Sequence, residues 1–295
     1  MKIINQIKTS SIVAIDIETV RIANNYSELT EDYKSAWQYK NKQDGVVPSE
    51  EELGQLWIKN SALYAEFSQV CAVSLVWLNK EGDNLQAKEF YGENEGVILK
   101  ELAEVLNKIA SSPNQYRLVG HASKFFDYSF LFKRYIINDL DLPSLIDESN
   151  KKPWEAANLC TNEIWKSNGT GAGSSLQALC TCLGVPVSKV DLVGDEVGAA
   201  YYRGEFKRIA EYCTLDTIAV FNIMRKWKKE SIFDPNTVVR LGTVKSEEVS
   251  SLSKLVRELP LTEKDKDVVD KLKKDKRKAA DPLKEVVDTF EDLPI

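Results

Sequence analysis

Residues 12–19 place two carboxylates, Asp16 and Glu18, directly after a continuous apolar run. Such a run predicts a buried central strand, and residues two apart on a strand project from the same face. Two carboxylates held side by side at the end of a buried strand repel each other, and a cation between them relieves the repulsion. The pattern therefore indicates a cation site, with a solvated strand end as the alternative.

A third acid, Asp127, follows the segment Gly-His-Ala-Ser-Lys-Phe-Phe at residues 120–126. It stands near the start of a predicted helix whose apolar face carries Phe130, Leu131 and Tyr135. The start of a helix favours an acidic residue, because an acid there caps free backbone N–H groups and interacts favourably with the helix dipole. Asp127 is thus either a site residue or a helix cap.

Tyr212 and Asp216 lie four residues apart and share one face of a long predicted helix. The apolar stripe of that helix contains Ile209, Cys213, Val220 and Met224. Asp216 falls at the margin of the stripe, where an acid in mid-helix has poor helix propensity. A core tyrosine with a neighbouring acid is the alternative to a functional pair.

The elements that must position these residues alternate between strands and helices, which predicts a mixed α/β sheet. Residues 20–60, where Ser49 and Glu52 fit a helix capping box, are predicted to be a helical insertion. Hydrophobic periodicity predicts strands at residues 12–15, 70–77, 87–91 and 117–120, and helices at 97–110, 126–137, 176–183 and 205–227.

The composition of the chain changes after residue 232, and residues 261–295 are rich in Lys, Asp and Glu. We predict a domain over residues 1–232 and a charged helical appendage or partly ordered tail over residues 233–295. Thr262 with Asp265 could cap a helix in this tail. The basic run at residues 271–278 is expected to be a solvated helix face, and a contact with DNA is the weaker alternative.

The chain has 295 residues and a net charge of −6. This acidity argues against a tight, non-specific coat on DNA, but it is compatible with a nuclease that holds divalent cations where the scissile phosphate binds. The five cysteines are expected to be reduced thiols, since their spacings complete no zinc site. No run is apolar enough for a membrane span, and residues 1–10 lack a signal-peptide core. A cytoplasmic location is expected, in the host cytoplasm if the protein is phage-encoded.

The order Asp16-x-Glu18, then Asp127, then Tyr212-x-x-x-Asp216 resembles the DEDDy 3′→5′ exonuclease superfamily, which has a ribonuclease-H-like fold. The sequence motifs are similar to those of the exonuclease domains of family B DNA polymerases and of stand-alone polymerase-B-like exonucleases of bacteria and phages. Supporting segments are Leu-Val-Gly-His at 118–121, Ser-Leu-Gln-Ala-Leu at 175–179 and Leu-Gly-Val at 183–185. The resemblance covers residues 12–227.

The resemblance implies a ribonuclease-H-like mixed sheet flanked by helices, and hydrolysis of single-stranded DNA from a free 3′ end. It implies two Mg²⁺ or Mn²⁺ ions about 4 Å apart, one activating water and one stabilising the leaving oxygen. Asp16 would bridge both ions and Tyr212 would orient the attacking water. The implied metal ligands are Asp16, Glu18, Asp127 and Asp216, and the implied substrate contacts are Thr19, Val20, Phe126 and His121.

The tyrosine subclass is favoured because the histidine subclass would need a histidine at position 211, which here is Glu211. His121 is the only histidine in the chain, and a structural hydrogen bond is an alternative role for it. Ala122 stands where the family usually has Asn, and Phe125 where it usually has a small or polar residue. These two departures affect the expected grip on the substrate strand and leave the metal ligands intact.

The insertion at residues 20–60 interleaves aromatic and basic residues, which suits stacking on single-stranded nucleic acid. It could form one wall of a substrate groove, or its aromatics could pack it onto the domain. The residues are Tyr26, Tyr33, Trp37, Tyr39 and Trp57, with Lys34, Lys40, Lys42 and Lys59.

Two rival functions remain at this stage: an exonuclease that trims RNA, and a catalytically silent module that binds nucleic acid or a polymerase. Nothing in the sequence reads the 2′-hydroxyl that distinguishes RNA from DNA. A silent module has no chemical need for all four acids and the tyrosine. No polymerase domain fits in 295 residues, so a DNA polymerase or other replication and repair proteins would be separate partners.

Overall fold

Six strands form one mixed sheet in the computed structural model, which describes residues 2–149, 151–152, 157–167, 171–187 and 192–245. Their order is β5-β4-β1-β2-β3-β6; β1, β2 and β3 pair antiparallel, while β4 is parallel to β1, β5 to β4 and β6 to β3. The predicted α/β architecture, a mixed sheet flanked by helices, is thereby confirmed. The strands are β1 Ile12–Arg21, β2 Ser68–Leu78, β3 Leu85–Tyr91, β4 Arg117–Gly120, β5 Leu159–Cys160 and β6 Val239–Lys245.

Several of the helices begin at capping residues that the sequence offers. Ser49 and Glu52 form the expected capping box, and the side chains of Asn94 and Ser175 accept hydrogen bonds from the helix starts that follow them. Gly184 ends its helix in the left-handed conformation. The helices are α1 Lys2–Gln6, α2 Glu31–Asn41, α3 Glu50–Asn60, α4 Glu95–Ser111, α5 Asp127–Ile137, α6 Thr161–Trp165, α7 Leu176–Leu183, α8 Val197–Tyr202 and α9 Phe206–Trp227. None is long and apolar enough to cross a bilayer.

Strand β1 is buried on both faces, because helices cover each side of the sheet. Val13, Ile15 and Ile17 pack in the core that α4 and α5 complete. Ile12 and Ala14 point to the opposite face and pack with the α9 residues Ile218 and Phe221. Alternation along the strand therefore turns Asp16 and Glu18 towards α9.

The insertion has a core of its own, built from the aromatics that the sequence analysis considered for a substrate groove. The rings of Trp37 and Trp57 meet edge to face with centroids 5.2 Å apart, and Phe67 lies 5.0 Å from Trp37. Both indole N–H groups donate to backbone carbonyls, those of Leu53 and Ala23. The packing alternative thus holds for Trp37 and Trp57, which cannot stack on a substrate while they are fully buried.

Residues 239–245, which fall in the segment predicted to be a charged helical appendage or a partly ordered tail, form strand β6. This strand pairs in parallel with β3, and Arg240 forms an ion pair with the buried Glu89 of β3. The pairing joins residues far apart in the chain, which local periodicity does not reveal. The predicted helix capped by Thr262 and the basic run at 271–278 lie outside the described residues.

Replacing Arg240 by Ala is expected to destabilise the domain, because buried Glu89 would lose one of the two side-chain partners that it has among the described residues and would keep the hydroxyl of Thr214. The expected loss of unfolding free energy is about 1–3 kcal/mol, since a buried charged group would lose a hydrogen-bond partner. Urea unfolding measures it, with Arg240→Lys as the matched control that keeps the charge and most of the stability. Equal stability of Arg240→Ala and the parent chain would contradict this account of β6.

Candidate active site

Asp16 and Glu18 were expected at the end of a strand, but they lie in the middle of β1. The strand continues to Arg21 because β2 pairs with it along this length, with Asp16 opposite Ser74 and Glu18 opposite Ala72. Both acidic side chains are half-buried and face α9. The partner strand, and not the apolar run alone, therefore sets the position of the two carboxylates.

The ladder between β1 and β2 is interrupted immediately after Glu18. Its register shifts between Glu18 and Thr19, because Cys71 is an extra residue in β2. The Cys71 thiol donates to the backbone carbonyl of Glu18 over 3.4 Å. Such bulges redirect side chains and recur beside functional sites.

Asp127 reaches the same acidic cluster from the other edge of β1. Strand β4 pairs with β1 only as far as Ala14, so the backbone of Ile17 remains free on that side. Burial raises the pKa of Asp127, and the backbone N–H groups of Asp127 itself and of Ile17 partly offset this by favouring the charged carboxylate. The helix cap position belongs to Phe126, so Asp127 is the first residue of α5 and not its cap.

The turn between β4 and α5 depends on Gly120. A Cβ atom there would lie 2.5 Å from the Cβ of Ser123 and 3.1 Å from the backbone oxygen of Ile15. Real Cβ atoms do not approach other atoms at the first of these distances. Only glycine therefore lets the turn pass close enough to β1 for Asp127 to meet the Ile17 N–H.

Ala122, in the same turn, adopts the left-handed conformation with φ of 60°. This conformation costs an ordinary L-residue about 1–2 kcal/mol, whereas Asn adopts it more readily. Ala122→Asn is therefore expected to raise the unfolding free energy by about 1 kcal/mol, as measured by thermal or urea unfolding. The matched control Ala178→Asn, on exposed helical backbone of α7, should lower stability. A loss of stability at both positions would refute the strain at residue 122.

Helix α9 lies across β1 and brings Tyr212, Cys213 and Asp216 over the acids. The buried Cys213 thiol donates to the backbone oxygen of Asp16 over 3.3 Å. Tyr212 and Asp216 flank it on the helix and are half-buried, and the Tyr212 hydroxyl hydrogen-bonds to Asp216. The structure thus joins the third predicted segment to the first.

The four acids share one electrostatic field. Burial, followed by repulsion from Asp127, Glu18 and Asp216, raises the pKa of Asp16 well above its ordinary value. Glu18 is raised in the same way by burial, Asp216 and Asp127. Burial raises the pKa of Asp127 to about 7 and that of Asp216 to about 6. The predicted acids therefore converge, and their ionised forms repel one another.

The donor set fits divalent cations. Carboxylate oxygens are the ligands that Mg²⁺ and Mn²⁺ prefer, and positive charge would remove the repulsion that keeps the acids protonated. One more observation supports a ligand here: the hydroxyl of Ser74 is buried directly across from Asp16 and has no hydrogen-bond partner among the described residues. The residues that would hold the cations are Asp16, Glu18, Asp127 and Asp216.

Of the four residues predicted to touch the substrate, three have structural partners instead. The hydroxyl of Thr19 donates to the backbone oxygen of Ala62 over 2.8 Å, and Val20 is fully buried in a hydrophobic cluster. Both ring nitrogens of His121 are engaged at 2.9 Å, with Thr161 and with the carbonyl of Ser174. These partners give the three side chains structural roles, and their contact with a substrate stays a prediction.

Phe126 is partly buried, with its ring centroid 5.2 Å from that of Phe130, whereas the neighbouring Phe125 is 69% exposed. The sequence pattern does not reveal Ser74, and it places Cys213 only in an apolar stripe. The relevant signal is the pairing register, which puts Ser74 beside Asp16 and which one sequence does not reveal.

The raised pKa values predict an unusual dependence of stability on pH for the metal-free protein. Asp127 ordinarily has a pKa of 3.8 but reaches about 7 in the fold, so the folded state binds more protons between about pH 4 and pH 7. The stability contributed by this group is full below the lower value and is lost as pH rises through the higher one. Melting temperatures in chelator should therefore fall from weakly acidic to weakly alkaline pH.

Saturating Mg²⁺ should oppose this trend, because it binds the ionised carboxylates of the folded state. The rate of any metal-dependent reaction should likewise rise across the same pH range. A metal-free melting temperature that rises steadily with pH would contradict the burial and mutual repulsion described for the four acids.

A family model described as "Predicted 3'-5' exonuclease related to the exonuclease domain of PolB" matches residues 60–235, which is more than half of the chain. Asp127, Tyr212 and Asp216 lie within the match, and Asp16 and Glu18 precede it. Among solved structures, the RNase domain of the yeast Pop2 protein is 12% identical, with 81% of this chain and 85% of that chain covered and a TM-score of 0.37. No curated protein matches the sequence. By the family match, the chain belongs to the predicted 3′–5′ exonucleases related to the exonuclease domain of PolB.

Proposed function

We propose that this protein hydrolyses the terminal phosphodiester bond at the 3′ end of single-stranded DNA, with a pair of Mg²⁺ or Mn²⁺ ions as cofactors. The observation that carries the proposal is the convergence of four acids from β1, α5 and α9 beside the hydroxyl of Tyr212. Bound divalent cations would supply a more acidic water and would stabilise the leaving oxygen.

The residues of the chain divide the remaining work among them. Asp16 interacts electrostatically with all three other acids and would hold the cations together with them. The backbone N–H of Ile17 favours the charged form of Asp127. Burial raises the pKa of Tyr212 far above neutral, so its phenol stays protonated and can orient a water molecule by hydrogen bonding, without acting as a base.

A cavity of about 340 Å³ beside Tyr212 and Asp216 offers a place for the terminal nucleotide. Its volume lies in the range of small-molecule sites, and its lining combines apolar side chains with a few polar groups, as a base and sugar require. The lining residues from α7 and the following segment are Ser175, Leu176, Gln177, Cys180, Val187, Leu192 and Val193.

The test uses a short DNA strand labelled at its 5′ end, with Mg²⁺ or Mn²⁺ and with chelator. We expect a ladder that shortens from the 3′ end, mononucleotide products and no reaction in chelator. The Asp16→Ala/Glu18→Ala variant should be inactive, and this control excludes a contaminating nuclease. The matched variant Glu81→Ala/Asp141→Ala, which removes two exposed acids elsewhere, should remain active.

The same assay separates the rival functions. Faster shortening of an RNA strand of identical sequence would replace DNA by RNA as the substrate. Binding of either strand without cleavage would make the protein a silent module. Cleavage of circular single-stranded DNA would contradict the exonuclease assignment, since a circle has no 3′ end.

A further inference from the structure

Three thiols surround the acidic cluster. Those of Cys213 and Cys71 donate to the backbone oxygens of Asp16 and Glu18 over 3.3 and 3.4 Å. Cys180 lines the cavity that Asp216 also lines. Neither the hydrolysis proposed above nor the four carboxylate ligands give these sulfur atoms a role.

Cys213 is close enough to the carboxylates to share a metal ion with them. A carboxylate oxygen of Asp16, one of Glu18 and the Cys213 sulfur all lie within 4.8 Å of one another. Tetrahedral ligands of Zn²⁺, at bond lengths of about 2.0–2.3 Å, lie roughly 3.5 Å apart. The three donors would therefore need to close by about an ångström, which side-chain rotation can provide.

A fourth donor is available at the same corner. Ser74 lies directly opposite Asp16 on the neighbouring strand and therefore shares its face of the sheet. Directly opposed residues have Cβ atoms about 4.5–5.5 Å apart. The Ser74 hydroxyl is fully buried and has no hydrogen-bond partner in the part of the chain that the structure describes. A buried hydroxyl in this state is an independent sign that a ligand belongs beside it.

We propose that Asp16, Glu18 and Cys213, with the hydroxyl of Ser74 beside them, bind a thiophilic divalent ion of the Zn²⁺, Co²⁺ or Cd²⁺ type, which inhibits the enzyme. The inhibitory part rests on the proposed function, in which Asp16 and Glu18 hold the cations for hydrolysis. When the sulfur–metal bond forms, the Cys213 thiol releases its proton to solvent, and no electron is transferred.

The chemistry of the donors decides which ion this corner prefers. Mg²⁺ requires oxygen ligands in near-octahedral geometry and gains nothing from sulfur. Zn²⁺ and Co²⁺ accept mixed sulfur and oxygen ligands in tetrahedral sites, and they bind such sites more tightly than Mn²⁺ does. A thiophilic ion would thus occupy Asp16 and Glu18 in a geometry unsuited to the pair of hard cations.

The direct test is a titration of the metal-free protein with Co²⁺, followed by absorption spectroscopy. We expect a sulfur-to-cobalt charge-transfer band that saturates at one ion per chain. Cys213→Ser and Cys213→Ala should lose the band and bind Co²⁺ at least about tenfold more weakly. The matched variant Cys182→Ser, which removes an exposed thiol, should keep both. Circular dichroism would show that each variant is folded.

A band that persists in folded Cys213→Ser, or one that never appears in the parent chain, would overturn the proposal. A second arm adds Zn²⁺ to the Mg²⁺-supported reaction and expresses inhibition as a fraction of each variant's own rate. Inhibition should need at least about tenfold more Zn²⁺ in Cys213→Ser, and equal sensitivity would overturn the inhibitory role.

The two arms separate this inference from the proposed function. A cobalt band in a chain that cleaves no nucleic acid would contradict the proposed exonuclease function and would support the thiolate metal site. Exonuclease activity without the cobalt band would support the proposed function and would contradict the thiolate metal site.

Discussion

Asp16→Asn is expected to lower the rate of 3′-end hydrolysis by at least about 10³-fold, because cation-based stabilisation of the transition state is worth several kcal/mol. Asp16 occupies the centre of the site, where it interacts with Glu18, Asp127 and Asp216. The amide keeps the size of the side chain but removes the negative charge that would bridge the cations. Initial rates on a single-stranded oligonucleotide at saturating Mg²⁺ measure the effect.

The same substitution should stabilise the metal-free protein. Burial and repulsion raise the pKa of Asp16, so its ionisation in the fold costs free energy that Asn does not incur. Asp16→Asn should therefore melt at a higher temperature than the parent chain in chelator at weakly alkaline pH, and Mg²⁺ should stabilise it less. Loss of activity with loss of stability would instead indicate a folding defect and would contradict a role in metal binding.

Tyr212→Phe is expected to lower kcat by about 10²-fold with little change in KM, because it removes one hydrogen bond that orients the attacking water. The aromatic ring still packs in the cluster beside Val20, Ala210 and Cys213, so the fold should be unaffected. Steady-state kinetics on single-stranded DNA, with melting temperature as the folding control, measure the effect.

The pH profile gives Tyr212→Phe a second readout. The hydrogen bond from Tyr212 lowers the pKa of Asp216, so its loss should raise that pKa and move the acidic limb of the profile to higher pH. The matched variant Tyr202→Phe, whose hydroxyl donates to the carbonyl of Arg21, should shift neither kcat nor the profile. An unchanged kcat in Tyr212→Phe would remove the tyrosine from the mechanism.

The sequence identified the acids because their types and spacing follow from local geometry. Alternation along a strand puts Asp16 and Glu18 on one face, and helical periodicity puts Tyr212 and Asp216 on another, whatever the rest of the fold does. Their convergence with Asp127 was expected only through the family resemblance. In the structure it results from the early end of β4, which leaves the Ile17 N–H free, and from the close approach at Gly120.

Long-range pairing explains what the sequence did not reveal. Ser74 neighbours Asp16 only through the register of β1 and β2, and β6 reaches β3 from a distant part of the chain. Similarly, a residue beside a motif is not thereby a substrate contact. Val20 faces the core, and His121 contacts Thr161 and Ser174, because tertiary contacts decide the direction of each side chain.

Strand β6 bears on how the C-terminal region can be dissected. The change in composition suggests truncating the chain at Phe233. This truncation would remove the edge strand β6 and expose the backbone amides and carbonyls of β3. An exposed sheet edge of this kind promotes aggregation between molecules. An aggregated fragment of low activity would then reflect a disrupted sheet and would reveal nothing about the basic run at 271–278. Deletions that probe the basic run should therefore begin after Lys245, so that β6 is retained.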